Sequence, residues 1–146
     1  MKSNFFDKIR ELEQRLPAML KRVPGIIRVE GLQFIADNFE REGFETKTGK
    51  YSKWKPKLKK GAQKKILVGE KRGGSLMRSW EQETTSNDRR VAFGSSLPYA
   101  QVHNEGGKAG RGKGFMMPQR QMIGPSDALD NRVMVKIDRI MDSIFN

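Results

Sequence analysis

Residues 47–72 are the stretch that most constrains how this chain can fold. Eleven of these 26 residues are lysine or arginine, and Glu70 is the only acid among them. Because unpaired charges of one sign cannot be buried together, the stretch must lie at the surface, between the parts of the chain that supply the core. We therefore expect a long basic loop over residues 44–75, and a loop of that length usually has a function.

The net charge of +12 comes from this stretch and from a second one, residues 106–114. The second stretch reads GGKAGRGKG and contains no acid, whereas the rest of the chain is close to neutral. Cationic segments rich in glycine suit polyanions or acidic protein surfaces. The candidate contacts with DNA or with a partner protein are Lys57, Lys59, Lys60, Lys64, Lys65, Lys108, Arg111 and Lys113.

Apolar residues in the N-terminal third recur at the spacing of an α-helix, so residues 1–43 are interpreted as the helical part of the chain. We expect Pro17 to kink or interrupt a first helix. A second helix is expected from Pro24 to about Glu42, with Gly43 as its C-terminal cap. The apolar stripe of the first helix consists of Phe5, Ile9, Leu12, Leu16 and Leu20.

Short elements are predicted in the second half of the chain. Residues 76–85 and 90–94 flank a turn composition and are interpreted as a β-hairpin. Residues 98–105 are expected to form a short helix that Gly106 ends, and residues 115–117 a short strand.

A last helix is expected from Ser126, as its N-terminal cap, to about Phe145. Helices on both sides of a small antiparallel sheet predict the α+β class. The chain, with parts 1–43, 44–75 and 76–146, has the length of a single domain. No apolar run approaches the roughly 18 residues of a membrane span, and the N-terminus becomes charged too early for a secretory signal.

The stretch GGKAGRGKG comes within one residue of the spacing of a phosphate-binding P-loop. A P-loop follows a buried strand, opens a helix, and places Ser or Thr directly after its lysine. Here a short predicted helix comes first, Gly114 stands in the hydroxyl position, and Pro118 prevents a helix from following. We therefore interpret residues 106–114 as a flexible basic loop and expect no nucleotide cofactor.

Catalytic and metal chemistry have few candidate residues, because the chain has one histidine, His103, and no cysteine. A zinc site built from histidine and cysteine would need ligands that the chain lacks. A Ser-His-Asp arrangement is formally open through Ser95 or Ser96, but nothing resembles a nucleophile elbow. Since a lone histidine on a helix more often has a structural role, we expect no enzymatic activity, no metal and no cofactor.

Trp54 has two interpretations that the residues around it leave open. Together with Tyr51 and the neighbouring lysines it could stack on the bases of a nucleic acid. It could instead anchor the basic loop to the core, which the apolar residues Trp54 and Leu58 of WKPKL favour.

An ordered set of motifs resembles one known family. The most specific part is Tyr99-Ala100-x-x-His103-x-x-Gly106, followed by Pro118-x-Arg120-x-x-x-Gly124. With Trp54-Lys55-Pro56 before them and a helix after them, these motifs resemble the phage virion morphogenesis family. That family contains the tail-completion and neck proteins of long-tailed bacteriophages and prophages. The resemblance covers about residues 30–146 and is weak in the first helix.

The resemblance implies a small α+β structural protein of the virion, assembled in the bacterial cytoplasm. Such a protein forms a ring, often a hexamer, at the head–tail junction or the head-proximal end of the tail. The implied partners are other copies of the chain, neighbouring connector or tail proteins, and phage DNA in the channel. The positions implied to be structural or to lie in an interface are Tyr99, Ala100, His103, Gly106, Pro118, Arg120 and Gly124. Trp54 is added to them as the expected anchor of the basic loop.

A second function class needs only the two basic stretches. A nucleic-acid-binding module without sequence preference would use the lysines and arginines on the DNA or RNA backbone, and it could act as a monomer. The size of the protein in solution separates this hypothesis from a ring-forming assembly protein. A hydrolase that uses His103 is the weakest of the three hypotheses.

Overall fold

The computed structural model of the chain describes residues 4–57, 66–67 and 75–145. Within these residues the helices are α1 (Phe5–Arg41), α2 (Ser75–Glu83), α3 (Ala100–Glu105) and α4 (Asp127–Phe145). The strands form three antiparallel pairs, β1 (Gly43–Lys47) with β2 (Lys50–Lys53), β3 (Thr85–Ser86) with β4 (Val91–Ala92), and β5 (Gly107–Ala109) with β6 (Phe115–Met117). The α+β class is therefore confirmed. Lys59, Lys60, Lys64 and Lys65 lie outside the described residues, as does the rest of the predicted loop over residues 58–65 and 68–74.

The N-terminal third is one helix of 37 residues, about 55 Å long, and not the two predicted helices. Pro17 and Pro24 lie inside it, and each removes the N–H that would bond to the carbonyl four residues earlier. Those carbonyls belong to Glu13 and Leu20, which are both exposed, so water can replace the missing donors. The expected break at Pro17 is therefore wrong.

The cap of α1 is also shifted by one residue from the prediction. Glu42, with φ of 50°, takes the left-handed conformation, and its N–H bonds to the carbonyls of Asn38 and Phe39. Gly43 begins β1 instead, where a Cβ would lie only 2.9 Å from the carbonyl oxygen of Ser52. Close approach of the second strand, rather than a helix end, requires glycine at this position.

The predicted loop over residues 44–75 begins with a hairpin, β1–β2, so the loop prediction is wrong for residues 44–53. Gly43, Phe44 and Glu45 are buried, whereas the lysines of both strands are exposed. Because strands pair through their backbone groups, a lysine-rich segment can still form a hairpin if its lysine side chains remain in water.

The predicted hairpin over residues 76–94 is wrong in its first half, which forms α2. Leu76 and Trp80 lie four residues apart and are both buried, so one face of a helical turn packs on the core. Only two residues of each strand remain, in β3 and β4. Phe93, which follows β4, packs its ring against α1 at Gly31, where a Cβ would collide with that ring.

The core is built around the C-terminal half of α1. Its larger cluster is Ile35, Phe39, Trp54, Ile66, Leu76, Trp80, Ala100 and Met122, and its smaller cluster is Phe34, Phe44 and Ala128.

The last helix, α4, matches its prediction. The Ser126 hydroxyl accepts hydrogen bonds from the N–H groups of Ala128 (3.2 Å) and Leu129 (3.3 Å), as an N-terminal cap does. No helix within the described ranges is long and apolar enough to cross a membrane.

Candidate functional site

Arg120 ties together the three motifs that the sequence singled out. It is buried, its Nε donates to the carbonyl of Lys55 (3.0 Å), and its Nη2 donates to the carbonyl of Pro56 (3.2 Å). Its backbone N–H bonds to the carbonyl of His103 on α3 (2.7 Å). Arg120 thus joins the segment after β2, helix α3 and the segment after β6 at one point.

The charge of Arg120 has no carboxylate partner among the described residues. Burial lowers the pKa of its guanidinium, which nevertheless stays charged because arginine is so strong a base. Two of its N–H donors bond to backbone carbonyls, and the Sδ of Met117 lies 4.0 Å from Nη1. The arrangement suits a fixed structural contact better than a site that exchanges protons.

His103 lies half-buried beside this arginine. Burial lowers the pKa of its imidazole first, and the positive charge of Arg120 lowers it further. Its Nδ1 is buried and has no hydrogen-bond partner in the described part of the chain. The imidazole is therefore neutral at pH 7, which avoids repulsion between two adjacent cations.

Within residues 4–57, 66–67 and 75–145, no group of three or more histidine and acidic side chains could hold a metal ion.

Tyr99 lies one helical turn before His103 and presents its ring to the imidazole edge-to-face, with the ring centroids 6.0 Å apart. Tyr99 is 43% exposed, so this ring contact lies near the surface.

Gly106 and Asn104 hold the segment that follows Arg120 against α3. Gly106 has φ of +74°, and a Cβ there would lie 2.9 Å from the backbone nitrogen of Gln119, so only glycine fits. The Oδ1 of Asn104 accepts hydrogen bonds from the N–H groups of Met122 (2.8 Å) and Ile123 (3.1 Å). Asn104 was not singled out from the sequence, although it occupies a variable position of the Tyr-Ala-x-x-His-x-x-Gly motif.

The two remaining motif positions lie on either side of this contact. Pro118 directly follows the last residue of β6. Gly124 lies in a bend of the chain, with φ of +157°. A Cβ at Gly124 would collide with the side-chain amide of Gln121. These residues shape the backbone that carries Arg120.

Trp54 is an anchor of the core and not an exposed stacking surface. Its side chain is 6% exposed and packs edge-to-face on Phe39, with ring centroids 5.4 Å apart. Its Nε1 donates to the carbonyl of Gln121 (3.0 Å). The segment that begins at Arg120 is thereby tied to α1 and to the end of β2.

A second polar network, which the sequence did not signal, joins α1, β1 and α4. Arg132 pairs with Asp37 (2.7 Å) and with the buried Glu45 (2.7 Å). Burial alone would lower the pKa of Arg132, but its hydrogen bonds to these two carboxylates outweigh burial and raise it. Asn38 links the network to the motif segment, since its Nδ2 donates to the carbonyl of Met122 (3.0 Å).

In the stretch GGKAGRGKG, residues 107–109 form β5, so the interpretation as a loop is wrong for them, and residues 110–114 form the turn of the β5–β6 hairpin. Its glycines serve the turn: Gly114 has φ of +62°, and a Cβ there would collide with the carbonyl oxygen of Ala109. Lys108, Arg111 and Lys113 are exposed, and no acid pairs with them among the described residues.

The same hairpin exposes two large apolar side chains, Phe115 (56%) and Met116 (74%). A second apolar surface lies on residues 5–20 of α1, which we call the arm. There Phe5 is 69% exposed and Leu20 is 55% exposed. Large exposed apolar surfaces on a soluble protein usually mark sites of protein association.

The basic residues that were predicted to contact DNA or a partner are not all in one place. Lys108, Arg111 and Lys113 share the β5–β6 hairpin. Lys57 is half-buried and directly follows Pro56, whose carbonyl accepts a hydrogen bond from Arg120. The other four predicted lysines lie outside the described residues.

Comparison with known proteins agrees with the resemblance seen in the motifs. Residues 7–142 match the model of the phage virion morphogenesis family. The match begins within α1, well before residue 30, so the first helix also carries the family signal. No curated protein and no solved structure match the chain.

Proposed function

The chain belongs to the phage virion morphogenesis family and so has a structural role in phage assembly, and we propose that it fulfils this role as a closed ring of identical subunits. The ring lies at the neck or at the head-proximal end of the tail, and a hexamer is the expected size. The family points to a structural protein rather than to an enzyme.

The observation that carries the ring is the pair of exposed apolar surfaces, which differ from each other and lie far apart. The arm begins 34 residues before Phe39 along one helix, which corresponds to about 50 Å. The β5–β6 hairpin, in contrast, lies near Phe39. The segment that follows the hairpin binds the segment after β2 through Arg120 and Trp54, and the ring of Trp54 packs on Phe39. One subunit therefore carries unlike surfaces at its two ends.

Head-to-tail contacts between copies, in which one face of a subunit meets a different face of the next, would cover both surfaces. Such contacts give a closed ring when the rotation between neighbours closes, and an open filament when it does not. A closed ring leaves no unsatisfied surface and has a fixed size, as a joint between head and tail requires. The exposed cations of the hairpin could then face DNA that crosses the ring or an acidic neighbouring protein.

Native mass spectrometry and light scattering on the full chain test the ring. We expect one discrete oligomer whose mass does not grow with protein concentration. A chain that stays monomeric at all concentrations, or that forms open-ended filaments, would contradict the proposal. Labelling of assembled particles with an antibody against the chain would then place the ring at the neck or elsewhere.

A matched pair of variants tests whether the hairpin belongs to the ring interface. Met116→Gln and Met134→Gln replace two exposed methionines in the same way, the first on β6 and the second on α4. We expect Met116→Gln to weaken assembly about tenfold, as for an apolar side chain of moderate importance in an interface, and Met134→Gln to leave assembly unchanged. Equal effects of the two variants would count against the hairpin surface.

The alternative is a nucleic-acid-binding module that works without assembly. It is favoured by Lys108, Arg111 and Lys113, which stand together on one exposed hairpin without an acid beside them. DNA binding by a monomer, with an affinity that does not depend on oligomerisation, would support this function over the ring.

A further inference from the structure

The arm extends beyond the end of α4, the helix that packs along the rest of α1. Two ion pairs, Arg132 with Asp37 (2.7 Å) and Lys136 with Glu30 (3.8 Å), show that α4 runs antiparallel to α1. Helix α4 ends nine residues after Lys136, a distance of about 14 Å along the helix axis. Because Lys136 lies beside Glu30 and the helices are antiparallel, the end of α4 lies beside about residue 21 of α1. The sixteen residues of the arm therefore extend about 24 Å past the end of α4.

The apolar residues of the arm follow the repeat of a coiled coil. They alternate in steps of four and three residues, and the series continues without a break into the part of α1 that α4 accompanies. An average step of about 3.5 residues keeps one seam facing a partner helix as the two helices supercoil. The seam residues are Phe5, Ile9, Leu12 and Leu16 in the arm, followed by Met19, Val23 and Ile26.

The residues that flank this seam favour a partner that lies parallel to the arm. In heptad notation Lys8, Arg15 and Arg22 take the g positions, and Glu13 takes an e position. Between two parallel neighbouring arms, Lys8 of one copy faces Glu13 of the next. In an antiparallel pair the g positions face each other, so these cations would repel.

We propose that the arms of neighbouring copies pack side by side in one bundle, parallel and in register, with this seam of each arm facing the other arms. The proposal rests on the proposed ring. Cyclic symmetry relates subunits by rotation about one axis and so keeps all arms pointing the same way, whereas antiparallel arms need a second, perpendicular axis. The charges that flank the seam and the symmetry of a ring therefore require the same arrangement.

Site-specific crosslinking tests the arrangement, because the chain has no cysteine of its own. Ile9→Cys and Leu16→Cys are made singly in the full chain, with Gln14→Cys on the outer face of the same helix as the control. A short bismaleimide should link Ile9→Cys to itself and Leu16→Cys to itself between copies, and should leave Gln14→Cys unlinked. The two seam positions are seven residues apart, so an antiparallel pair that brings position 9 to its copy holds the two positions 16 about 20 Å apart.

Charge exchange provides a second readout of direction. Lys8→Glu alone and Glu13→Lys alone should each lower the crosslink yield of Leu16→Cys about two- to fivefold, the effect of an exposed ion pair turned repulsive. The double exchange should restore the yield. An increase with Lys8→Glu alone would indicate antiparallel arms and would overturn the proposal.

Native mass spectrometry of the same variants before crosslinking separates this proposal from the ring. A ring of unchanged mass in which neither seam cysteine crosslinks would overturn the pairing of arms and leave the ring standing, with another phage protein as the occupant of the seam. Crosslinks that form only between mixed Ile9→Cys and Leu16→Cys chains would also overturn it. A chain that stays monomeric would overturn both proposals.

Discussion

The guanidinium of Arg120 donates from Nε to the carbonyl oxygen of Lys55 at 3.0 Å, across 65 residues of sequence. Together with the bond to Pro56, this contact fixes the end of β2 to the segment that follows β6. The geometry uses the planar fork of arginine, whose donors reach two carbonyls at once. A contact of this kind stabilises the region in which three motifs meet.

Arg120→Lys should therefore destabilise the subunit, although the charge is kept. The single ammonium group of lysine cannot donate to both carbonyls as the planar guanidinium does. A buried carbonyl left without a donor lowers the stability of the folded protein. We expect a decrease of about 2–3 kcal/mol in the free energy of unfolding, measured by chemical denaturation. Arg111→Lys, on the exposed hairpin, is the control and should change stability by less than about 0.5 kcal/mol. Similar stability of both variants would show that the hydrogen bonds of Arg120 are dispensable.

Trp54 and Tyr99, both expected from the sequence to be structural or interface positions, should differ in their effect on folding. Trp54 is buried against Phe39, whereas Tyr99 is only partly covered. Trp54→Ala should cost roughly 3–5 kcal/mol, as for a large side chain removed from a packed site. Tyr99→Ala should cost about 1 kcal/mol or less in the subunit. Thermal melts of both variants decide this, and an equal decrease would mean that Tyr99 packs more tightly than its exposure indicates.

Much of the C-terminal half could be predicted from local signals, because each acts over a few residues. The hydroxyl of Ser126 caps α4 as expected, and Gly106 ends α3 with a positive φ of 74°. The N-terminal proline signals misled because Pro17 and Pro24 leave exposed carbonyls that water can satisfy. Helix α2 was missed because the turn composition after it favoured a hairpin, although the four-residue spacing of Leu76 and Trp80 fits one face of a helix.

The cluster around Arg120 was predictable only as a set of residues. The motifs named Arg120, His103 and Gly106, but nothing in their spacing indicated that the guanidinium binds the carbonyls of Lys55 and Pro56. Backbone acceptors carry no sequence signature, since every residue has one. For the same reason Asn104, whose side chain holds the backbone of Met122, was not singled out.

The neutral state of His103 predicts how stability depends on pH. Its pKa in the folded protein is below the ordinary value of 6.5, first because of burial and then because of Arg120. Below that ordinary value the unfolded chain binds a proton that the folded chain does not, so stability must fall as the pH is lowered. The contribution is fully present above about pH 6.5 and is lost as the pH falls through the folded-state pKa.

Chemical denaturation between about pH 5 and pH 7.5 checks this for the native chain and for His103→Gln. The variant cannot titrate at this position, so the difference in unfolding free energy between the two proteins should shift in favour of the variant as the pH falls. Because the carboxylates are common to both proteins, their titration largely cancels in the difference. A difference that stays constant across this range would mean that the histidine titrates alike in the folded and unfolded chains.

The exposed cations of the β5–β6 hairpin lead to the last prediction, which concerns what they bind in the assembly. If the ring surrounds DNA and these cations face the channel, binding should be independent of sequence and should weaken steeply with salt. Replacing Lys108, Arg111 and Lys113 with glutamine would leave up to three phosphates without a neutralising cation. The slope of log affinity against log salt should then become shallower by up to about 0.9 for each of these phosphates.

Arg78, Arg89 and Arg90 supply the control, because they are exposed and lie outside the hairpin. Their replacement with glutamine removes the same net charge, so any general electrostatic effect appears equally in both triple variants. Neither variant should change subunit stability appreciably, since exposed charges contribute little to it. Circular dichroism and native mass spectrometry confirm that folding and assembly are intact before DNA binding is measured.

The two accounts of the hairpin differ in which of two measurements changes. If the cations bind DNA, the hairpin variant alone flattens the salt dependence of the assembled ring. If they bind an acidic neighbouring protein instead, both triple variants bind DNA alike, but the hairpin variant fails to join heads to tails in a particle-assembly assay. Because Phe115 and Met116 share the hairpin with these cations, the second result would place one mixed apolar and basic surface against a protein partner. An unchanged salt slope together with normal particle assembly would exclude both roles for this stretch.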